Sequence, residues 1–134
     1  MSEEVKMLEK QYLVTDAEAV HFMGPAVPPV LSTPSMIMWM ELTCRDNAGP
    51  VLKSGDDTVG VNVNIKHLAA TPVGMKVRVV SKLTKVEGRA YFFDVEAFDE
   101  SEKIGEGSHQ RVSVTPAKFA PLIINKKERI VHAG

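Results

Sequence analysis

Glu41 is the first residue in this sequence whose type and position suggest chemistry. It carries the only charge in residues 35–44, a largely apolar run that reads Ser-Met-Ile-Met-Trp-Met-Glu-Leu-Thr-Cys. A helix that is apolar on nearly every side is buried, and a carboxylate there loses its hydration unless a partner compensates for it. We therefore expect Glu41 either to join a buried ion pair or hydrogen bond, or to act as a general base or an attacking carboxylate.

Thr33 and His67 are the other two side chains with suitable chemistry. An alternating pattern predicts a half-buried strand whose inward face carries Val59, Val61, Val63 and Ile65. The same period of two puts His67 on that face, at the end of the strand. Taken singly, such a histidine is typical of a satisfied core or rim residue, and Thr33 before Pro34 is typical of a helix cap.

The spacing of these residues bears on how they could meet. Thr33 and Glu41 are eight residues apart, or ~12 Å along a helix axis, so their side chains cannot touch within one straight helix. A site that uses Thr33, Glu41 and His67 together is more natural where two copies of the helix meet. The pattern thus favours a symmetric homodimer with two composite sites.

Composition and charge exclude several classes of function. The length of 134 residues predicts one domain, residues 1–134, and the net charge of −1 gives no case for a nucleic-acid or anionic-membrane partner. Residues 1–10 lack the apolar core of a signal peptide, and the uncharged residues 19–40 contain four prolines, which argues against a membrane span. The single cysteine, Cys44, suits a reducing cytoplasm and is expected to be an inert core thiol. His21, His109 and His132 lack metal-ligand spacing, so no metal is expected.

The order of predicted elements indicates an α+β fold. We predict a strand over residues 7–15, a helix from Pro34 to about Asp46, and then four consecutive antiparallel strands. The last three of these strands cover residues 75–86, 90–98 and 103–114, and a short tail helix that opens at Thr115-Pro116 is expected to break at Pro121. The absence of intervening helices argues against parallel βαβ units. One curved antiparallel sheet wrapped around one long buried helix is the economical packing.

Several motifs resemble those of hot-dog-fold thioesterases, and within that superfamily the fluoroacetyl-CoA thioesterase family. The matching segments cover most of the chain: residues 40–44 (Met-Glu-Leu-Thr-Cys), Gly60 to His67, 69–74 (Ala-Ala-Thr-Pro-Val-Gly), 85–89 (Lys-Val-Glu-Gly-Arg) and 102–111 (Glu-Lys-Ile-Gly-Glu-Gly-Ser-His-Gln-Arg). The resemblance implies a hot-dog fold and hydrolysis of a small acyl-CoA to a free acid and CoA, without a cofactor. It implies that the catalytic residues are Thr33, Glu41 and His67, and that Gly60 and Arg111 lie at the substrate.

One segment departs from the family pattern. The specialised member of the family shields its site with a phenylalanine-bearing lid before the catalytic threonine, whereas this chain has Gly24 and Val27 at the positions where we align the aromatic residues. A different acyl group, or a broader range of them, is therefore expected. Two alternatives stay open: an acyl-CoA-binding or sensing domain without turnover, and a hot-dog dehydratase or hydratase. Pairing of dimers into tetramers is also left open.

Overall fold

The computed structural model describes the backbone of residues 6–133 and the side chains of residues 6–130. The first five residues, part of the segment predicted to carry no signal sequence, and the side chain of His132 lie outside the described residues. The strands are β1 (Lys6–Leu13), β2 (Ala19–Val20), β3 (Val30–Leu31), β4 (Asp57–His67), β5 (Lys76–Glu87), β6 (Ala90–Phe98) and β7 (Lys103–Val114). The helices are α1 (Thr33–Ala48) and α2 (Pro116–Ala133), and short 3-10 turns cover Asp16–Glu18 and Gly49–Val51.

Five antiparallel strands form the main sheet, in the order β1-β5-β6-β7-β4, and α1 packs across it. The fully buried side chains of Met36, Met40 and Cys44 project from α1 into a core of sheet residues such as Phe93 and Val95. A side chain at Gly105 would place its Cβ 2.7 Å from the Met36 sulfur, so this glycine lets the helix approach the sheet closely. The predicted α+β fold, with a curved sheet around one long helix, is confirmed.

Helix α1 begins one residue earlier than its predicted first turn. Ser32 is the N-cap, since its Oγ accepts a hydrogen bond of 3.1 Å from the Ser35 backbone N–H. Thr33 and Pro34 therefore occupy the first two helical positions, where proline is well tolerated because no intrahelical donor is lost. The reading of Thr33 as the helix cap is wrong, and its hydroxyl group is free to bond elsewhere.

One face of α1 is open to solvent, contrary to the prediction of a helix buried on nearly every side. Met38 is 53% exposed and Leu42 is 40% exposed, while Met36 and Met40 are in the core. The adjacent edge strand β4 likewise carries Val61 at 54% exposure. A helix packed against one sheet buries only one of its own faces. The apolar run of α1 extends onto a second face, which this sheet leaves exposed to solvent.

Strand β4 contains a β-bulge that the alternating pattern did not reveal. The pairing with β7 shifts between Gly60 and Asn62, which leaves Val61 as the extra residue. Gly60 faces α1, because a Cβ built on it would approach the Glu41 side chain. After the bulge the helix-facing positions are Val63, Ile65 and His67. Val59 thus lies on the other side of the strand and Val61 is the exposed bulge residue, so the predicted four-residue inward face is wrong at these two positions.

Helix α2 is longer than predicted. It runs from Pro116 to Ala133 without ending at Pro121, which lies inside it. A proline within a helix forfeits one backbone hydrogen bond, and here the residues on both sides keep the helical conformation despite that cost. Over the described part of the chain, neither helix has the length and apolar content that crossing a membrane requires.

Cys44 is a core thiol, as expected. It is completely buried, and the Ser81 hydroxyl group lies 3.3 Å from its sulfur. Burial raises the pKa of this thiol to about 12. A thiol that is not ionised at neutral pH is a poor nucleophile, so Cys44 contributes packing.

Candidate functional site

The polar side chains of interest form two separate groups along α1 and β4. We call the first the threonine–histidine pair, Thr33 and His67. The second is the glutamate cluster, which comprises Glu41, Thr58, Gly60, His109 and Arg111. The pair lies where α1 begins and β4 ends, and the cluster lies about two helical turns further along α1, beside the first half of β4.

In the threonine–histidine pair, the Thr33 Oγ1 and His67 Nδ1 atoms are 2.7 Å apart and hydrogen bonded. The His67 Nε2 atom is buried and has no hydrogen-bond partner among the described residues. Burial lowers the pKa of His67 and outweighs the opposing effect of the Ala69 backbone, so its ring is neutral at neutral pH. This neutral ring therefore keeps one nitrogen uncommitted.

A cavity of about 530 Å³ adjoins the pair. Thr33 and His67 line one side, and Val20, Phe22 and Val30 line another. Phe22 is 82% exposed and comes from the segment that precedes α1. The cavity is large enough for a small acyl group and is mostly apolar, as ligand sites commonly are.

In the glutamate cluster, one carboxylate oxygen of Glu41 faces two basic side chains. Its Oε2 atom lies 3.7 Å from Arg111 Nη1 and 3.8 Å from His109 Nε2, and the Glu41 side chain is 33% exposed. The predicted full burial of Glu41 is therefore not found in the chain by itself. A carboxylate that is half-buried, charge-paired and still open on one side can reach a water molecule or a substrate.

Gly60 is necessary for this arrangement. A Cβ at that position would come within 2.5 Å of Glu41 Oε2 and 3.1 Å of His109 Cε1. The His109 ring cannot move away from such a Cβ, because it is buried and hydrogen bonded. The Glu41 carboxylate could avoid the Cβ only by leaving its place beside Arg111 and His109. The backbone of β4 can therefore come this close to the carboxylate only at a glycine.

Arg111 is held rigidly at the bottom of the cluster. Its Nε atom donates to Thr58 Oγ1 at 2.6 Å, and its Nη2 atom donates to the Thr58 carbonyl oxygen at 2.8 Å. Burial lowers the pKa of Arg111 and the Glu41 charge opposes that effect, but a guanidinium stays protonated at neutral pH. Its Nη1 atom lies 3.7 Å from Glu41 Oε2, while the role of Arg111 at the substrate stays a prediction.

The five predicted site residues thus fall into both groups. Glu41, Gly60 and Arg111 come together, Thr33 meets His67, and the two groups do not merge within one chain. The imidazole that faces Glu41 is that of His109, whose spacing from the other histidines argued against a metal and which was not predicted to be a site residue. The sequence could have predicted this position, because a period of two on one strand puts residues 109 and 111 on the same face. No group of three or more metal-ligating side chains is arranged to hold an ion among the described residues.

Comparison with known proteins identifies the family. The family model described as fluoroacetyl-CoA-specific thioesterase matches residues 14–117. The chain belongs to this family. A fluoroacetyl-CoA thioesterase from Streptantibioticus cattleyicolor is 37% identical over 99 residues, which are 74% of this chain and 71% of that protein. The chain is accordingly a thioester hydrolase.

Solved structures agree with this family. The fluoroacetyl-CoA thioesterase FlK superposes with a TM-score of 0.83 at 30% identity, covering 91% of this chain and 95% of that one. FlK has also been solved, as a variant, in complex with fluoroacetate and CoA. A hypothetical protein from Thermus thermophilus, a thioesterase superfamily member, superposes with a TM-score of 0.87 at 35% identity over 96% of both chains. The architecture is the hot-dog fold.

Proposed function

We propose that this chain hydrolyses a small acyl-CoA thioester to a free acid and CoA, at sites shared by the two subunits of a homodimer. The observation that carries the proposal is the division of the polar residues into two groups, the threonine–histidine pair on α1 and β4 and the glutamate cluster on α1, β4 and β7. Each group lacks what the other has: a carboxylate in one, and a neutral imidazole with an uncommitted nitrogen in the other. Two copies related by a twofold axis bring the opposite ends of the same elements together.

The exposed surface of α1 and β4 supports such a dimer. β4 is an edge strand, with Val61 and Val63 at 54% and 42% exposure. Met38 and Leu42 on α1 add to the same open side. An apolar edge strand is a liability in a monomer, and pairing with a second copy would cover it. Glu41 lies beside this surface, so the solvent-exposed part of its side chain would face the interface between the two subunits.

In this proposal Glu41, Thr33 and His67 are the catalytic residues. Glu41 either activates a water molecule or attacks the thioester carbonyl itself. The Thr33 hydroxyl group and the Gly60 backbone amide polarise and position that carbonyl, whose oxygen gains negative charge as the tetrahedral intermediate forms. In this arrangement His67 Nδ1–H donates to Thr33 Oγ1, which leaves the Thr33 hydroxyl proton for the carbonyl. Where Glu41 activates water, His67 Nε2 accepts the proton that Glu41 takes from that water and passes it to the departing CoA thiolate. Arg111 holds the Glu41 carboxylate in place through its charge.

The substrate range is proposed to be broader than fluoroacetyl-CoA. Gly24 and Val27 cannot supply the aromatic cover that the lid of the specialised family member provides, and Phe22 lines the cavity together with Thr33 and His67. A mostly apolar cavity discriminates weakly between acyl groups that differ by one small substituent, because one methylene is worth only about 1–3 kcal/mol.

We further propose a cytoplasmic location, supported by the single, unpaired cysteine.

Thiol release from a panel of acyl-CoAs tests the activity. The panel should contain acetyl-, branched, aromatic and halogenated acyl-CoAs. The wild-type chain should release CoA from at least one of them, and the variants Glu41→Gln and His67→Ala should lose most of that turnover. Tight binding of an acyl-CoA without thiol release would favour the acyl-CoA-binding domain instead, and wild-type turnover in both variants would reject the catalytic set.

Subunit mixing tests the shared site. A heterodimer that combines a Glu41→Gln subunit with a His67→Ala subunit has one site with both groups intact and one site with neither. Isolated through two different tags, it should recover about half of the wild-type turnover per dimer, while each parent homodimer remains nearly inactive. If both groups act within one chain, both sites of the heterodimer are damaged and no activity returns.

A further inference from the structure

His109 is a buried titratable group beside Glu41 to which the proposed mechanism gives no role. It lies on β7 two residues before Arg111, and its side chain is only 2% exposed. Its Nδ1 atom lies 2.8 Å from the carbonyl oxygen of Asn62. A carbonyl oxygen can only accept a hydrogen bond, so Nδ1 carries the proton and donates it.

The second ring nitrogen is committed as well. His109 Nε2 lies 3.2 Å from Arg111 Nη1, and a guanidinium can only donate, so Nε2 is unprotonated and accepts. Together the two partners assign one neutral tautomer. Burial, followed by the charge of Arg111, lowers the pKa of His109, against the opposing effects of the Asn62 carbonyl and the Glu41 charge.

The β-bulge makes this arrangement possible. Asn62 follows the extra residue Val61, and the shift in pairing brings Asn62 opposite Gln110 while Val63 lies opposite His109. The Asn62 carbonyl oxygen is thereby available to a side chain on the helix-facing side of the sheet. One chain of hydrogen bonds begins at the bulge and ends beside Glu41. It links the Asn62 carbonyl, the His109 imidazole and the Arg111 guanidinium.

We propose that His109 is a positioning residue, a neutral hydrogen-bond acceptor that holds the Nη1 edge of Arg111 against the carboxylate of Glu41. The proposal rests on the thioesterase function proposed above and extends it by one residue. The same Nη1 atom that bonds to His109 lies 3.7 Å from Glu41 Oε2, whereas Thr58 holds the other two nitrogens. The guanidinium is planar and Thr58 fixes two of its corners, so without an acceptor at 109 the plane can tilt about the line through Nε and Nη2. That tilt moves Nη1 away from Glu41, and the carboxylate loses its fixed counter-charge. Misplacement of a catalytic group by 1 Å can cost about 10²-fold in rate.

Two amide substitutions separate the acceptor from the donor. In His109→Gln the side-chain oxygen can reach the place of Nε2 and accept from Arg111. In His109→Asn the amide nitrogen can take the place of Nδ1 and donate to Asn62, but nothing reaches Arg111. We expect kcat to fall by at least about tenfold in His109→Asn and by less than about threefold in His109→Gln, with KM nearly unchanged in both. Equal losses in the two variants would overturn the proposal.

A double-mutant test shows whether His109 acts through Arg111. In an Arg111→Met background, His109→Asn should cost almost nothing more, because the group that it positions is already absent. A cost as large as in the wild-type background would contradict the proposal.

Nitrogen NMR of the histidine rings in the intact protein provides a readout that does not depend on turnover. For His109 it should show a protonated Nδ1 and an unprotonated Nε2 at neutral pH. A protonated Nε2 would overturn the proposal even if a variant fails to fold. Conversely, the expected tautomer in a protein that hydrolyses no acyl-CoA would count against the proposed function and leave the positioning contact standing.

Discussion

The threonine–histidine pair and the glutamate cluster share α1 and β4, and the cluster also includes two side chains from β7, yet the protein holds the two groups in different ways. The cluster is anchored by several hydrogen bonds: Arg111 is fixed at three nitrogens, and His109 at both of its ring nitrogens. The pair is a single hydrogen bond between an exposed threonine and a half-buried imidazole. The rigid group is preorganised in each chain, whereas the other group has freedom to adjust to a substrate and to a second subunit.

Removal of the carboxylate should have the largest effect. Glu41→Gln keeps the size of the side chain but cannot accept a proton or attack a carbonyl, so kcat for thioester hydrolysis should fall by about 10²–10⁴-fold. Steady-state thiol release measures it. Glu102→Gln, an exposed carboxylate in the β6–β7 turn, is the matched control and should keep wild-type activity. A similar small loss in both variants would mean that the rigid cluster does not perform the chemistry.

Crowding of the cluster should have the next largest effect. Gly60→Ala places a methyl group 2.5 Å from Glu41 Oε2, so the carboxylate must move and kcat should fall by about 10–10²-fold. Gly49→Ala is the control, since nothing lies within 4 Å of its Cβ position and its φ of −46° suits any residue. Turnover and thermal unfolding measured on both variants separate displacement from loss of folding. Unchanged kcat in Gly60→Ala would mean that the exact carboxylate position does not matter.

The looser pair should respond more weakly. Thr33→Val removes the hydroxyl group that bonds to His67 and should lower kcat by about tenfold, while Thr33→Ser should retain most activity because it keeps that group. Ser32→Ala is the informative neighbour: it removes the helix cap, so it should cost about 1 kcal/mol of stability and leave kcat close to wild type. Loss of stability rather than turnover in Thr33→Val would return Thr33 to a structural role.

The smallest effect should appear in the pH dependence of stability. Burial lowers the pKa of both His67 and His109, so between those lowered values and the ordinary histidine value of ~6.5 the unfolded chain binds more protons than the folded chain. The free energy of unfolding should therefore rise with pH through this window and decrease from pH 7 toward pH 5. Urea unfolding at several pH values measures the slope. His109→Gln should reduce it, and an identical slope in that variant would assign the effect to other groups.

Long periodic segments were the predictable part of the fold. The bounds of β6 and β7 match the predicted 90–98 and 103–114, because turn residues flank both strands. Local irregularities were not predictable. A bulge depends on how two strands pair, so the valine alternation in β4 reads equally well with or without an extra residue at Val61. Likewise, both Ser32 and Thr33 can cap a helix, and only the approach of His67 decides between them.

The site was predictable as a set of residue types but not as a set of contacts. The residue pattern singled out Glu41, Thr33 and His67, and the resemblance added Gly60 and Arg111. The structure brings Glu41, Gly60 and Arg111 together, and it pairs Thr33 with His67. His109 was passed over because a lone histidine in a strand has no local signal of its own. Only the alternation of β7, read together with Arg111, puts it on the helix-facing side.

The state of Cys44 has a practical consequence for measuring this enzyme. Colorimetric reagents that detect released CoA react with thiolates, and a fully buried sulfur with a pKa of about 12 offers them none while the fold is closed. The background from the protein itself should thus be low under native conditions. When α1 lifts from the sheet the sulfur becomes accessible, so the labelling rate of this single atom reports how often the core opens.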